Sequence, residues 1–278
     1  MNETPTEVKR TLELLNVRPS KRRGQNFLVD RGSLSKVLDF AAVTTSDNVI
    51  EVGPGLGALS EELCRRSASY TAIEIESAFA GYLRERLGER GTVIEADVRE
   101  VVLGRELPDV PGGYHLVSNV PYSLSSEMTL WIIRNRAGIR RASLLFQREF
   151  AERLGASPGG KDYGSLTVLC SLFADSRLGP RIPGSCFYPS AEVESRLISF
   201  EILSSPRIDV GDEGLFEELV RASFATRRKT LLNALSASRF FGTKAEAEAH
   251  LRKENIDPGR RAETLTLEEY GRLSRSLL

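Results

Sequence analysis

Short apolar runs alternate with amphipathic segments through the first two thirds of the chain. The runs VIEV, YTAIEI, TVIEA, HLVSNV and ASLLF have the length and the Val, Ile and Leu content of buried strands. Between them lie segments of helical period such as LSEELCRR and AFAGYLRERLG. The alternation predicts an α/β fold, a parallel sheet covered by helices on both faces. Ligands of such sheets bind beyond the carboxyl ends of the strands, so residues that directly follow strands are the candidates for chemistry.

Two helical regions flank this pattern. A charged helix over residues 7–15 precedes the basic, glycine-containing segment SKRRGQNFLVD, which leads into a helix over residues 32–42. After about Leu203 the turn-rich stretch SSPRIDVGDEG ends the alternation. Helical patterns then follow in LFEELVRASFA, TLLNALSASRFF, AEAEAHLRKE and TLEEYGRLSRSLL. We therefore predict one domain over residues 1–203 and a small helical domain over residues 204–278.

Composition disfavours several kinds of site but does not identify a function. A chain of 278 residues with 41% hydrophobic residues can bury a full core, and its net charge of zero gives no sign of a polyanionic partner. Three scattered cysteines suggest a reducing compartment without structural zinc, and two histidines leave little for a triad or a metal site. The first segment has no continuous apolar stretch. We expect a cytoplasmic, monomeric protein with no membrane association and no metal.

A glycine loop follows the first predicted strand. In EVGPGLG, Gly53, Gly55 and Gly57 allow sharp turns and a close approach of the backbone to a ligand, and a helix follows. The spacing is GxGxG rather than GxGxxG, and Pro54 removes an amide donor that a dinucleotide pyrophosphate would need. A purely structural turn between strand and helix is the alternative interpretation.

Two acids follow the next two strands. Glu74 ends the second strand and is suitably placed to accept hydrogen bonds from a ribose diol, and Asp97 follows the third strand. A glycine loop and two acids at one edge of the sheet fit a nucleoside with an amino-acid tail better than a dinucleotide. S-adenosylmethionine is such a ligand.

The stretch SNVPYSLSS follows the fourth strand and contains more than a turn requires. The amine of adenine is a poor nucleophile, so a methyl acceptor of this kind needs acceptors for its N–H groups. The Asn119 side-chain oxygen and a backbone carbonyl beside Pro121 could accept them. Tyr122 would stack on a base taken out of its helix. A half-buried core tyrosine is the alternative for Tyr122.

At these motifs the chain resembles the small-subunit ribosomal RNA adenine N6,N6-dimethyltransferases (KsgA type). The resemblance runs through nearly the whole chain, in KRRGQNFLVD, EVGPGLGALSEEL, NVPYSLSS, FQREFAERL, KDYGSLTVL, FATRRKTLLNAL and IDPGRRAETLTLEEYGRL. It implies a Rossmann-like, S-adenosylmethionine-dependent methyltransferase domain and a C-terminal helical domain that contacts RNA or the subunit. The implied reaction is dimethylation of two adjacent adenines in the 3'-terminal hairpin of 16S rRNA, within a pre-assembled 30S particle, during ribosome biogenesis.

The resemblance also implies roles for individual residues. Glu74 would hold the ribose and Asp97 the adenine amine of the cofactor. Phe187 would close on the target base opposite Tyr122. The chain departs from the family pattern in SAE at residues 190–192, where prolines and a basic residue are expected, and in SLSS after Tyr122. The implied cofactor residues are Asn26, Leu28, Gly53, Gly55, Glu74, Asp97 and Asn119, and the implied catalytic residues are Asn119, Pro121, Tyr122 and Phe187.

Basic residues gather locally despite the zero net charge. If several share a face, they could neutralise phosphates without reading sequence. Solvated surface arginines, or arginines that brace the two domains, are the alternative. The candidate RNA-binding residues are Arg22, Arg23, Arg227, Arg228 and Lys229.

Three rival functions stay open from the sequence. One is a large-subunit rRNA adenine methyltransferase of the macrolide-resistance type, which shares the glycine and NxPY loops. The second is a noncatalytic ribosome assembly factor. The third is a nicotinamide dehydrogenase, which the loop spacing and NVPY disfavour.

Overall fold

The structure is a computed structural model that describes residues 4–20, 24–226 and 228–278. Contacts between Cα atoms divide the chain into two units. The first comprises Met1–Ala151 and Ser176–Ile202, and the second comprises Glu152–Asp175 and Leu203–Leu278. The sequence places 152–175 in the first domain, whereas these contacts group the segment with the C-terminal helices.

The first unit is built on a seven-stranded sheet of order β4-β3-β2-β5-β6-β9-β7, and β1 and β8 form a separate two-stranded sheet. The strands are β1 (Phe27–Leu28), β2 (Asn48–Val52), β3 (Ser69–Glu74), β4 (Thr92–Glu95), β5 (Tyr114–Asn119), β6 (Ile139–Gln147), β7 (Ala174–Ile182), β8 (Phe187–Tyr188) and β9 (Ser195–Ile202).

Five of these strands are the predicted ones, and they pair in parallel. The pairs β2–β3, β2–β5, β3–β4 and β5–β6 are all parallel, so the carboxyl ends of β2 to β6 lie at one edge. The sequence did not predict β9, which runs antiparallel to β6 with Ser195 opposite Gln147. No α-helix lies in 183–194 to form the crossover that a parallel return would need. As a result, β9 begins at the edge where the parallel strands end.

The helices begin where the sequence offers caps. Thr4 and Glu7 form a capping box at α1, and the Asp30 carboxylate accepts the Ser33 N–H at 2.7 Å at the start of α2. The helices are α1 (Pro5–Leu14), α2 (Arg31–Ala41), α3 (Ser60–Arg66), α4 (Ser77–Leu87), α5 (Ser125–Arg134), α6 (Arg148–Leu154), α7 (Ser165–Phe173), α8 (Glu213–Phe224), α9 (Leu231–Leu235), α10 (Lys244–Lys253) and α11 (Leu267–Arg275).

The second unit is a helical cluster around Tyr270. This ring is fully buried, stacks on Phe224 with ring centres 6.2 Å apart, and its hydroxyl donates to the Ala262 carbonyl at 2.9 Å. The apolar α7 packs against α8 and α11, and the Phe173 carbonyl accepts the Leu203 N–H at 2.9 Å. These contacts explain why α7 groups with the C-terminal helices. Within the described ranges, no helix has the length and apolar character needed to cross a membrane.

A buried histidine in the main sheet makes the stability of the protein depend on pH. His115 in β5 is fully buried, and its Nε2 lies 3.0 Å from the Ser143 hydroxyl. Burial, reinforced by the nearby Arg141 cation, lowers the pKa of His115 from 6.5 to about 4 despite the nearby Asp47. The folded protein therefore resists protonation that the unfolded chain accepts.

We expect this histidine to destabilise the protein as pH falls. Its contribution to the free energy of unfolding is complete above the unfolded pKa of 6.5. As pH falls from 6.5 towards 4 this contribution is lost, and the loss reaches about 3 kcal/mol. Urea unfolding between pH 7.5 and 4.5 measures this dependence. A His115→Gln variant should lose most of it, and a His250→Gln variant should keep it. Equal pH dependence in all three proteins would contradict the prediction.

Candidate active site

One cavity of about 440 Å³ lies at the carboxyl edge of the parallel strands. Its volume falls in the range of small-molecule and cofactor sites. The structure brings nine of the predicted site residues to its wall, although they come from five separate segments. These residues are Asn26, Leu28, Gly53, Gly55, Glu74, Asp97, Asn119, Pro121 and Tyr122.

The glycine loop packs too closely for side chains. Gly55 has a φ of +58°, and a Cβ there would lie 2.9 Å from the Phe27 ring. Gly53 has a φ of +62°, and its Cβ would lie 3.3 Å from the Pro121 ring. Residues other than glycine rarely adopt such angles. The loop therefore brings bare backbone against β1 and against the loop that follows β5.

Glu74 holds the glycine loop and the turn after β3 together. Its side chain is buried, with Oε2 accepting the Gly55 N–H at 3.0 Å and Oε1 accepting the Glu76 N–H at 2.9 Å. A carboxylate oxygen accepts more than one hydrogen bond, so Glu74 can also receive hydroxyl donors from the cavity. The next residue, Ile75, lines the cavity with 57% of its surface exposed. Such an exposed apolar side chain suits a flat ring.

Asp97 carries an ion pair that the sequence did not reveal. Its carboxylate accepts the Arg99 backbone N–H at 3.0 Å and forms a bidentate pair with the Arg99 guanidinium. These hydrogen bonds lower the pKa of Asp97, so it is ionised at neutral pH. An amine that binds Asp97 has to share the carboxylate with Arg99.

Glu51 is a cavity residue that sequence reasoning missed. It lies in β2, two residues before Gly53, and its Oε2 accepts hydrogen bonds from Tyr70 at 2.6 Å and Ser60 at 2.7 Å. Complete burial raises the pKa of Glu51 to about 7, and the nearby Glu74 charge adds to the rise. The signal was present in the motif EVGPG, whose first letter is this acid.

The charge of the cavity wall favours a cationic ligand over a polyphosphate. Among the lining residues that the structure describes, acids outnumber the single basic residue, Arg99. A pyrophosphate would face several carboxylates, whereas a sulfonium and an ammonium would be attracted to them. The acidic lining residues are Glu51, Glu74, Asp97 and Glu127. Together with the glycine loop, these groups fit S-adenosylmethionine, which carries a diol, an aromatic amine and two cationic centres.

Asn119, the last residue of β5, supplies a polar side chain to the cavity wall. The Asn119 amide donates from Nδ2 to the Asn26 carbonyl at 3.2 Å, which fixes the amide orientation. Among the described residues, no hydrogen bond ends on the Asn119 Oδ1 atom. This oxygen is thus available as an acceptor beside the glycine loop.

Tyr122 begins a 3₁₀ turn over Tyr122–Leu124 directly after Pro121. The turn is closed by the Leu124 N–H, which donates to the Pro121 carbonyl at 2.8 Å, and the Tyr122 hydroxyl lies 2.8 Å from Ser195 Oγ. Burial raises the pKa of Tyr122, so its hydroxyl stays protonated at neutral pH and is no base. Tyr122 lines the cavity and is partly buried.

Phe187 is the predicted site residue that the structure places elsewhere. It pairs with Leu28 across β1 and β8, is 3% exposed, and belongs to a core cluster with Leu145 and Leu197. It does not line the cavity. Phe187 is therefore not part of this cavity wall, and its role opposite Tyr122 stays a prediction. The next residue, Tyr188, packs instead against the cluster around Phe27.

The predicted RNA-binding residues are only partly described. Arg228 and Lys229 lie exposed between α8 and α9, and the described residues provide neither with an ion pair. By contrast, Arg260 in the same helical region is paired with Glu269. Three of the predicted residues, Arg22, Arg23 and Arg227, lie outside the described residues.

The sequence profile described as ribosomal RNA adenine dimethylase matches residues 17–277. The chain belongs to this family. It is also 42% identical over 262 residues to ribosomal RNA small subunit methyltransferase A of Syntrophotalea carbinolica, covering 94% of this chain and 97% of the relative. The protein of the same name from Alkaliphilus oremlandii is 36% identical, covering 99% of this chain and 97% of that one.

Solved structures agree on the fold of this dimethylase. A dimethyladenosine transferase from Plasmodium falciparum superposes with a TM-score of 0.74 at 24% identity, covering 89% of this chain and 95% of that one. The 23S rRNA methyltransferase ErmE gives a TM-score of 0.65 at 24% identity, covering 91% of this chain and 99% of that one. These likenesses show the fold alone.

The family assignment confirms the predicted resemblance, the Rossmann-like methyltransferase fold and the enzyme class. The dimethylase is an S-adenosylmethionine-dependent rRNA adenine dimethyltransferase. A nicotinamide dehydrogenase is thereby excluded. The roles of individual residues do not follow from the family name and rest on the geometry above.

Proposed function

We propose that this enzyme methylates the N6 atoms of two adjacent adenines in the 3'-terminal hairpin of 16S rRNA. One observation carries the proposal: Asn119, Pro121 and Tyr122 line the same cavity as Glu74 and Asp97. An adenine acceptor site and a nucleoside site are thus contiguous. Curated relatives named ribosomal RNA small subunit methyltransferase A, at 42% and 36% identity, support the small-subunit substrate.

Each cofactor group has a candidate partner in the wall. When bound, S-adenosylmethionine supplies a methyl group on a sulfonium that a neutral amine can attack. Glu74 would accept the ribose hydroxyls, Asp97 would accept the adenine amine beside Arg99, and Ile75 would cover the ring face. The loop at Gly53 and Gly55 gives the amino-acid tail room against the backbone, and Asn26, just before β1, and Leu28, in β1, complete the wall.

The acceptor adenine needs orientation more than it needs a base. Asn119 Oδ1 would accept one N6 hydrogen, and the carbonyl joined to Pro121 would accept the other. This directs the nitrogen lone pair into the cavity. Tyr122 would stack on the base, which replaces the stacking lost from the RNA. The proton leaves to solvent after transfer, so no histidine is required. Phe187 receives no part in this arrangement.

The proposed assembly is a monomer bound to rRNA in a pre-assembled 30S particle in the cytoplasm. Domain roles follow from the same reasoning, with the cofactor and the acceptor handled in the first predicted domain, residues 1–203. The helical residues 204–278 then contact the RNA or the subunit. Arg228 and Lys229 support this assignment because they are exposed and the described residues offer them no carboxylate partner.

Charge reversal tests this RNA contact. The pair Arg228→Glu and Lys229→Glu should weaken binding to undermethylated 30S particles. It should also reduce the slope of log affinity against log salt by about 2, one for each lost phosphate contact. Cofactor affinity should not change. The control is Arg239→Glu, an exposed arginine already paired with Glu218. An unchanged salt slope in the double variant would assign both residues to ordinary surface.

Methyl transfer from labelled S-adenosylmethionine tests the function itself. The acceptors are undermethylated small subunits and large-subunit RNA, and digested nucleosides are analysed. Dimethyladenosine from the small subunit alone supports the proposal. Product from large-subunit RNA would instead assign the macrolide-resistance type of reaction. Tight subunit binding without methylation would make the protein an assembly factor.

A further inference from the structure

The hydroxyl of Tyr122 has a partner that base stacking does not require. Tyr122 Oη and Ser195 Oγ lie 2.8 Å apart, and Ser195 is fully buried. A stacking platform needs only the ring. From the sequence alone the hydroxyl has no task, because the two residues are 73 positions apart.

Ser195 reaches the acceptor loop because β9 is antiparallel. It is the first residue of β9 and pairs with Gln147, the last residue of β6. Its position therefore lies at the sheet edge where β5 ends in Asn119. The strand start is itself fixed, since the Arg148 N–H donates to the Glu194 carbonyl at 2.8 Å. Ser195 is thus held in a fixed position beside the Tyr122 side chain.

The contacts to the Tyr122 backbone do not set the orientation of its ring. A Cβ at Gly24 would lie 2.9 Å from the Tyr122 backbone nitrogen, and the Ser125 hydroxyl donates to the Tyr122 carbonyl at 3.0 Å. Neither contact acts on the ring. A tyrosine ring can rotate about two side-chain torsions. A hydrogen bond to its hydroxyl therefore fixes the orientation of the ring plane.

We propose that Ser195 is a positioning residue whose hydroxyl holds the Tyr122 ring in the plane on which the target adenine stacks. This inference rests on the proposed function. It explains why the acceptor loop carries tyrosine rather than phenylalanine. The bond lies between groups that remain protonated at neutral pH, so either can donate.

Rates of methyl transfer test the proposal with a matched control. Ser195→Ala and Tyr122→Phe should each lower kcat about ten-fold, the effect of one lost hydrogen bond that orients the base, with cofactor Kd unchanged. The double variant should be no slower than either single variant, because all three lack the same bond. The control Ser143→Ala removes another buried serine hydroxyl, which bonds His115 in the same sheet. It should lower Tm and leave kcat intact.

A lower Tm with unchanged kcat in Ser195→Ala would overturn the proposal, since that is the structural behaviour expected of Ser143→Ala.

A second readout does not depend on activity. In protein labelled with 3-fluorotyrosine, the 19F resonance that Tyr122→Phe removes should shift or broaden in Ser195→Ala and stay unchanged in Ser143→Ala. If the wild-type protein bound subunits without methylating them, the proposed function would fail and this resonance alone would decide the positioning role. An unchanged resonance in Ser195→Ala would overturn it.

Discussion

Replacement of Asn119 by alanine is expected to lower the rate of methyl transfer by about 10²–10³-fold, the range for loss of one preorganised polar group. The reason lies in the orientation of its amide. Because Nδ2 donates to the Asn26 carbonyl, Oδ1 is directed away from that carbonyl and can accept an N6 hydrogen. Without that acceptor, the amine lone pair stays delocalised into the ring of the base.

Cofactor affinity should fall only a few-fold in the same variant, about the net value of one neutral hydrogen bond. The lost contact to the Asn26 carbonyl loosens β1 but leaves Glu74 and the glycine loop in place. Single-turnover rates and calorimetric Kd values separate the two effects. Asn119→Asp keeps an acceptor oxygen and should retain more activity than Asn119→Ala. Equal losses of rate and of cofactor affinity in the alanine variant would show that Asn119 only holds the cofactor.

Most of the cavity wall could be predicted from the positions of the strand ends. Glu74, Asp97 and Asn119 each end or follow a strand, and parallel strands bring their carboxyl ends to one edge. Hydrophobic pattern was enough to find those ends. The partners of these residues were not predictable in the same way. Even Arg99, two residues from Asp97, gave no sign of an ion pair, because side-chain orientation is not encoded in spacing.

Phe187 shows why a motif position does not fix the direction of a side chain. In the two-stranded pair, Leu28 faces Phe187 and Phe27 faces Tyr188. Successive residues of a strand point to opposite sides, so a one-residue difference decides which ring is buried in the core. The antiparallel β9 was missed for a related reason. Strand direction depends on the connection that precedes the strand, and 183–194 contains no α-helix that the pattern could reveal.

Replacement of Gly55 by alanine is expected to weaken cofactor binding about a hundred-fold, which corresponds to roughly 2.7 kcal/mol. Two costs combine. An alanine at φ +58° is strained by about 1–2 kcal/mol, and its Cβ would approach the Phe27 ring to 2.9 Å. Relief of that contact shifts either β1 or the loop whose N–H bonds Glu74. Either shift displaces groups proposed to hold the cofactor.

Gly112→Ala separates strain from site geometry. Gly112 has a φ of +78°, its Cβ would meet no atom within 4 Å, and it does not line the cavity. Both variants should therefore lose thermal stability, because both place alanine in the left-handed region. Calorimetric titration with S-adenosylmethionine should find weakened binding in Gly55→Ala alone. Unchanged affinity in a folded Gly55→Ala protein would mean that the glycine loop is only a structural turn. In that case Glu74 and Asp97 would have to hold the cofactor without close contact from the backbone of the loop.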